Sequence, residues 1–143
     1  MLDEKLERAR KKVVLALDVD TLARKSEIIK IFEESQAIIT GSHVVYTSGK
    51  HGAEYVNKDA VYPYTSKLSR LCECIAEDFE DTEIDVVVGP VVGGIALAQW
   101  TAHHLSLLKG KEILAVCADK NGDGFVIERG QDKFITNKKI LVV

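Results

Sequence analysis

The stretch IDVVVGPVVGGIALAQWTAHHLSLL, residues 84–108, constrains the fold more than any other part of the chain. Val86, Val87 and Val88 form a continuous β-branched run. A strand with one wet face alternates apolar and polar residues, so an unbroken run predicts a strand covered on both faces, as in a parallel sheet. Gly89, Gly93 and Gly94 then punctuate a turn, and residues 95–108 read as a helix. A second short apolar run, EILAVCA (112–118), follows. Strand, glycine turn, helix and strand make a βαβ unit, which predicts an α/β fold: a parallel sheet flanked by helices.

A glycine turn at the carboxyl end of a parallel strand exposes backbone N–H groups and the positive end of the helix dipole, a setting that suits an anion such as phosphate. The spacing fits neither common nucleotide motif. No Lys followed by Ser or Thr comes after Gly94, and Gly89, Gly93 and Gly94 do not form G-x-G-x-x-G. The competing reading is that the glycines only allow strand and helix to pack closely.

Upstream, Leu22, Ile28, Ile29, Ile31 and Phe32 recur at helical steps and predict an amphipathic helix over 21–35. Three short extended pieces, AIIT, HVVYTS and AEYVN, follow between glycine-containing turns and predict a small hairpin region. TSKLSRLCECIAEDFED then reads as a helix with Leu68, Leu71, Cys72, Ile75 and Phe79 on one face. With 143 residues the simplest organisation is an N-terminal arm, 1–20, containing the strand-like VVLALDVD, and one domain over 21–143. The hairpin segment YTSGKHGAEYVNKD, 46–59, holds Thr47, Ser48, Lys50, His51, Tyr55, Asn57 and Lys58, dense polarity for a mere connection. It reads either as a solvated edge hairpin or as a ligand wall where lysines meet phosphate or carboxylate and Tyr55 packs on a flat ring.

Residues 119–130, DKNGDGFVIERG, imitate a calcium-hand loop: Asp119, Asn121, Asp123 and Gly124 fill positions one, three, five and six. The twelfth position needs a bidentate carboxylate and holds Gly130, while Glu128 comes two residues early. The preceding run is strand-like, not helical. A glycine-rich turn after a strand is the better reading.

A net charge of -3 gives no basic excess of the kind nucleic-acid binding uses, and no run of eighteen apolar residues offers a membrane span. The charged beginning MLDEKLERARKK is no secretory signal, which points to the cytoplasm. Cys72, Cys74 and Cys117 are read as free thiols. His103 and His104 are adjacent, and a helical two-His metal pair needs four-residue spacing, so surface or interface roles suit them. Trp100 and Leu97 suit a core or an interface. Of the four histidines, His51 is the candidate for function.

YTSGKHGAEYVNKD, IDVVVGPVVGGIALAQWTAHHL, ILAVCADKNGDGFVIERG and KKILVV, in that order and spacing, resemble the orotate phosphoribosyltransferases of the type I phosphoribosyltransferase family over residues 21–143. The resemblance implies transfer of ribose 5-phosphate from phosphoribosyl pyrophosphate to N1 of orotate. It implies magnesium bound mainly through phosphoribosyl pyrophosphate, no protein metal ligands, and a homodimer. Ser48, Gly49 and Lys50 match the family's turn near base and pyrophosphate, with His51 beside them, and Tyr55 matches an aromatic that packs on orotate. Gly89 through Val92, Gly93 and Gly94 match the pyrophosphate loop. Lys120 falls where a mobile loop brings a catalytic lysine over the site, with Arg129 as helper.

The sequence also departs from the family. Thr47 and Gly93 stand where some members carry lysines, Val56 replaces a second aromatic, and the lid lacks Lys-x-His. Another acceptor base, or a non-catalytic phosphoribosyl-nucleotide-binding regulator on the same fold, are the alternatives. The strand KKILVV in this family runs into an acidic pair and a Thr/Gly loop that hold the ribose 5-phosphate, and the sequence stops at Val143. A fold incomplete at its C-terminus, with little transferase activity, is therefore expected.

Overall fold

The structure is a computed structural model that describes residues 22–143. The expected arm, 1–20, and its VVLALDVD strand lie outside the described residues. The chain divides into two compact units, Asp20–Leu68 and a second that includes Ser69–Val143.

The first unit opens with helix α1, Leu22–Glu34. It stops in a two-bond cap: the Ala37 N–H donates to Phe32 O at 2.8 Å and the Gln36 N–H to Glu33 O at 2.9 Å. That closure requires a left-handed residue between helix and exit, and Gln36 supplies it with φ 54. Four two-residue strands follow: β1 Ile38–Ile39, β2 Val44–Val45, β3 His51–Gly52 and β4 Tyr55–Val56. They pair as one interrupted antiparallel hairpin, β1 with β4 (Ile39 opposite Tyr55) and β2 with β3 (Val44 opposite Gly52). Between the two ladders the outgoing strand takes five steps, Ile39 to Val44, and the returning one three, Gly52 to Tyr55. The surplus bulges out around Gly41, whose φ of 65 only glycine takes without cost. The sequence reading found three of these pieces and a hairpin over 46–59, but not that the pairing reaches back to Ile38. Ile31, Ala37, Val61 and Leu68 are buried in this unit.

Helix α2, Thr65–Asp78, begins in the first unit and continues in the second, where it leads to β5, Val86–Pro90, then helix α3, Gly94–Lys109, β6, Leu114–Asn121, β7, Gly124–Val126, and β8, Ile140–Val142. The sheet order is β7-β6-β5-β8, with β5 parallel to both β6 and β8 and β7 antiparallel at the edge. The α/β class, the βαβ unit and the buried central strand are as the valine run predicts. Val87 packs with Ala76, Phe79, Ala98, Ala102, Leu105 and Leu141 on one face. Val86 and Val88 pack with Val116 and Ala118 on the other. Each side chain so buried contributes about 1.5–3 kcal/mol relative to exposure, which is why three successive valines suit a central strand.

Three polar fasteners fix the ends of these elements. The Lys139 N–H donates to Asp85 Oδ2 at 3.0 Å while the Asp85 N–H donates to Lys139 O at 2.8 Å, pinning β8 to the start of β5. Ser106 Oγ accepts from the Ile113 N–H at 2.8 Å and donates to Ala102 O at 2.7 Å, tying the end of α3 to the entry of β6. Lys109 Nζ donates to the carbonyls of Glu80 and Thr82 just past α2, and Gly110, at φ 61, ends α3.

Candidate functional site

The glycine turn sits at the carboxyl end of β5, beside the ends of β6 and β8 that point the same way. Open α/β sheets bind ligands outside these ends. The local geometry explains the glycines. A Cβ on Gly89 would run into the carbonyl oxygen of Gly94 and lie 2.9 Å from Ala98 Cβ. A Cβ on Gly94 would strike the Pro90 ring and lie 2.9 Å from Gly89 C. Strand end and helix start therefore touch backbone to backbone. The turn between is held by the Val91 N–H donating to Ala118 O at 2.8 Å, and the Val91–Val92 peptide is cis. Val92 is 78% exposed at the tip. Gly93 is the N-cap of α3 and offers no side-chain cap, and within the turn the Ile95 N–H donates back to Val92 O at 3.2 Å. The close-packing reading thus holds at Gly89 and Gly94, and it does not conflict with the anion reading.

Lys120 and Arg129 take places that the sequence did not reveal. Lys120 lies on β6 itself, opposite Phe125 of β7, and is exposed. The segment expected to be a free loop is a hairpin that turns at Gly122 (φ 59) and Asp123, between the paired Asn121 and Gly124. Glycine at the first of two loop positions is what such a tight hairpin favours. Arg129, at φ 59, is 73% exposed and ion-pairs with Asp119, Nη2 to Oδ1 at 3.2 Å. The calcium-hand reading has no helix on either side of its loop, and its first carboxylate is engaged by Arg129. Among the described residues no group of three His, Cys, Asp or Glu could hold a metal ion.

Gln131, which the sequence reading passed over, accepts the Cys117 N–H through Oε1 at 3.0 Å, on the strand residue that pairs with Gly89. No local signal marks it, because its role depends on the chain returning past β6.

In the first unit, Ser48 and Gly49 form the hairpin tip. The Tyr46 N–H donates to Lys50 O at 2.9 Å, the Gly49 N–H to Tyr46 O at 2.8 Å, and Gly49 takes φ 77. Lys50 and Tyr55 are exposed, Tyr55 by 44%. His51 Nδ1 lies 2.6 Å from His43 Nε2. Tyr46, also missed, lies across Gly52 and donates its hydroxyl to Glu54 O at 2.6 Å; a Cβ on Gly52 would strike that ring.

The other candidates are structural. His104 Nε2 shares a hydrogen bond of 2.9 Å with Ser69 Oγ, and burial holds its pKa below the usual imidazole value. His103 is exposed, and Trp100 rests against both rings. Leu97 is half-buried. Cys72 and Cys74 are buried free thiols although two residues apart, and burial pushes Cys72 up to about 11. No helix among the described residues is long and apolar enough to cross a membrane.

The fold is that of the type I phosphoribosyltransferases. A crystal structure of orotate phosphoribosyltransferase from Francisella tularensis aligns with a TM-score of 0.56 at 22% identity, covering 80% of this chain and 54% of that one. The Mycobacterium tuberculosis enzyme in complex with Fe(III) dicitrate aligns with a TM-score of 0.51 at 19% identity, over 81% of this chain and 65% of that one. No family model matches the sequence. Individual sequences do. The orotate phosphoribosyltransferase of Caldicellulosiruptor saccharolyticus is 34% identical over 122 residues, 83% of this chain and 58% of that protein. That of Bartonella tribocorum is 36% identical over 84 residues, 57% of this chain and 43% of that protein. The chain is a homologue of the orotate phosphoribosyltransferases and belongs to their family over the part it shares, the matches spanning 58% and 43% of these two relatives.

Proposed function

We propose that this chain serves the transfer of ribose 5-phosphate from phosphoribosyl pyrophosphate to orotate, yielding orotidine 5′-monophosphate and pyrophosphate. The observation that carries the reading is the Gly89–Gly94 turn, whose two glycines bring the start of α3 against the end of β5 with no side chain capping the helix. A leaving pyrophosphate gathers negative charge as the glycosidic carbon becomes cationic. Fixed N–H dipoles stabilise that charge without reorganising, which lowers the barrier more than it tightens ground-state binding.

Within Ser69–Val143 we assign Gly89, Val92, Gly93 and Gly94 to the diphosphate, and Lys120, with Arg129 as helper, to the charge of the departing group. Lys120 stands on a short two-stranded ribbon at the sheet edge, and such a ribbon can swing as a unit. Within Asp20–Leu68 we assign Ser48, Gly49, Lys50 and His51 to polar contacts with substrate and Tyr55 to stacking on the flat base; the exposure of Lys50 and Tyr55 supports this. The donors at the glycine turn are N–H groups, which take anions and not cations. The described residues thus suit magnesium only as a passenger on phosphoribosyl pyrophosphate, where it would offset phosphate charge. A homodimer and a cytoplasmic location complete the proposal.

The test is the loss of orotate absorbance in the presence of magnesium and phosphoribosyl pyrophosphate, with pyrophosphate measured in parallel. Equal amounts of orotate consumed and pyrophosphate released support the reading. Binding of phosphoribosyl pyrophosphate without release on adding orotate or any other base overturns it in favour of a binding protein.

A further inference from the structure

The bulged hairpin of the first unit brings together two histidines that are eight residues apart. His43 immediately precedes β2, and His51 opens β3, where it pairs with Val45. Their facing nitrogens, Nε2 of His43 and Nδ1 of His51, are 2.6 Å apart, with ring centroids 4.7 Å apart and planes tilted by 36°. Both rings are exposed. Such a contact holds one proton between two lone-pair nitrogens. When that proton moves to the far nitrogen of its own ring, both lone pairs are free, and a turn of the rings brings them onto one ion.

We propose that His43 and His51 form a two-imidazole chelate for a divalent transition metal of the copper and nickel class. Imidazole suits these ions, whereas magnesium prefers oxygen and near-octahedral water. Two nitrogens about 2.0 Å from one ion and at a right angle to each other stand roughly 2.9 Å apart, and at a tetrahedral angle roughly 3.3 Å. The square arrangement asks the facing nitrogens to open by about 0.3 Å, less than the tetrahedral one, and each ring to turn its lone pair from the other nitrogen toward the ion, which favours copper and nickel over zinc. The β2–β3 register holds His51 opposite Val45 and leaves His43 directly before the paired Val44, so the two rings are neighbours before the ion arrives. His43 binds through Nε2 and His51 through Nδ1. The remaining positions on the ion belong to water or to a small anionic ligand. The proposal shares His51 with the transferase reading but does not rest on it, and no reaction step is routed through the metal.

The test uses the whole chain and Cu2+ alone, followed by electron paramagnetic resonance, with Ni2+, Zn2+ and Mg2+ as competitors. The expected result is a one-to-one complex with two coupled imidazole nitrogens, displaced by Ni2+ more readily than by Zn2+ and not by Mg2+. H43Q and H51Q should each weaken binding at least tenfold and leave one coupled nitrogen or none. H103Q, which alters the exposed histidine of α3, should leave the signal unchanged. Circular dichroism of the two hairpin variants must match that of the parent; if it does not, the imidazole shifts of His43 and His51 on titrating the unaltered chain with Ni2+ decide the matter. A signal kept in H43Q, one lost in H103Q, or a complex with equal preference for Mg2+ would overturn the proposal.

Discussion

Gly89 and Gly94 occupy each other's side-chain space: a methyl group on Gly89 would overlap the carbonyl of Gly94, and one on Gly94 would press on Pro90 and on the Gly89 backbone. Neither atom in the way is the loose end of a flexible side chain. G89A and G94A should therefore each cost about 1–3 kcal/mol, the usual range for forced overpacking, measured by urea unfolding. Binding of phosphoribosyl pyrophosphate should weaken more than tenfold in whichever variant remains folded. A variant with full stability and full binding would show that the close approach is not needed.

Lys120 has no folded-state duty beyond its place opposite Phe125, so K120A should change stability by no more than about 0.5 kcal/mol. Under the proposed function it should lower turnover by at least tenfold. D119A, which frees Arg129, should leave the response to calcium as it is in the parent, namely absent, because the segment folds as a ribbon. A calcium-dependent rise in melting temperature that D119A abolishes would revive the calcium reading.

Much of this was legible in the sequence, and the reason is range. The run from Val86 to Leu108 declares itself because strand, turn and helix each answer to neighbours within four residues. The ribbon of β6 and β7 was read as a loop because Asp119, Lys120 and Asn121 are polar; at a sheet edge one side of a strand meets water, so polar residues fit there. The contacts of His43 with His51 and of Asp119 with Arg129 were invisible because each joins residues eight or ten apart through a register that the composition does not state.

Gly52 is a quieter case. G52A should push the Tyr46 ring aside and break its hydrogen bond to Glu54 O, at a cost of about 0.5–1.5 kcal/mol. Tyrosine fluorescence and the melting temperature would register it, and an unchanged Tyr46 environment would refute the packing argument.

Asp85 links the fold to pH. The N–H of Lys139 bonded to its carboxylate, with the Lys111 ammonium 3.5 Å away, holds its pKa below the usual carboxylate value. A lowered folded pKa means the unfolded chain binds the proton first, so this contribution is full above about pH 4, the unfolded value, and fades as the pH falls through the folded one. D85N should flatten the acid limb of stability against pH in that window. An acid limb identical to the parent's would contradict this role.

The most direct test of the account is a titration of the chain with pyrophosphate, followed by the backbone amide resonances of residues 89–96. The account predicts saturable shifts centred on Val92, Gly93 and Gly94, reproduced by phosphoribosyl pyrophosphate and lost in G94A. Shifts that are absent, or that scatter over surface lysines and persist in G94A, would contradict the claim that this turn is the anion site.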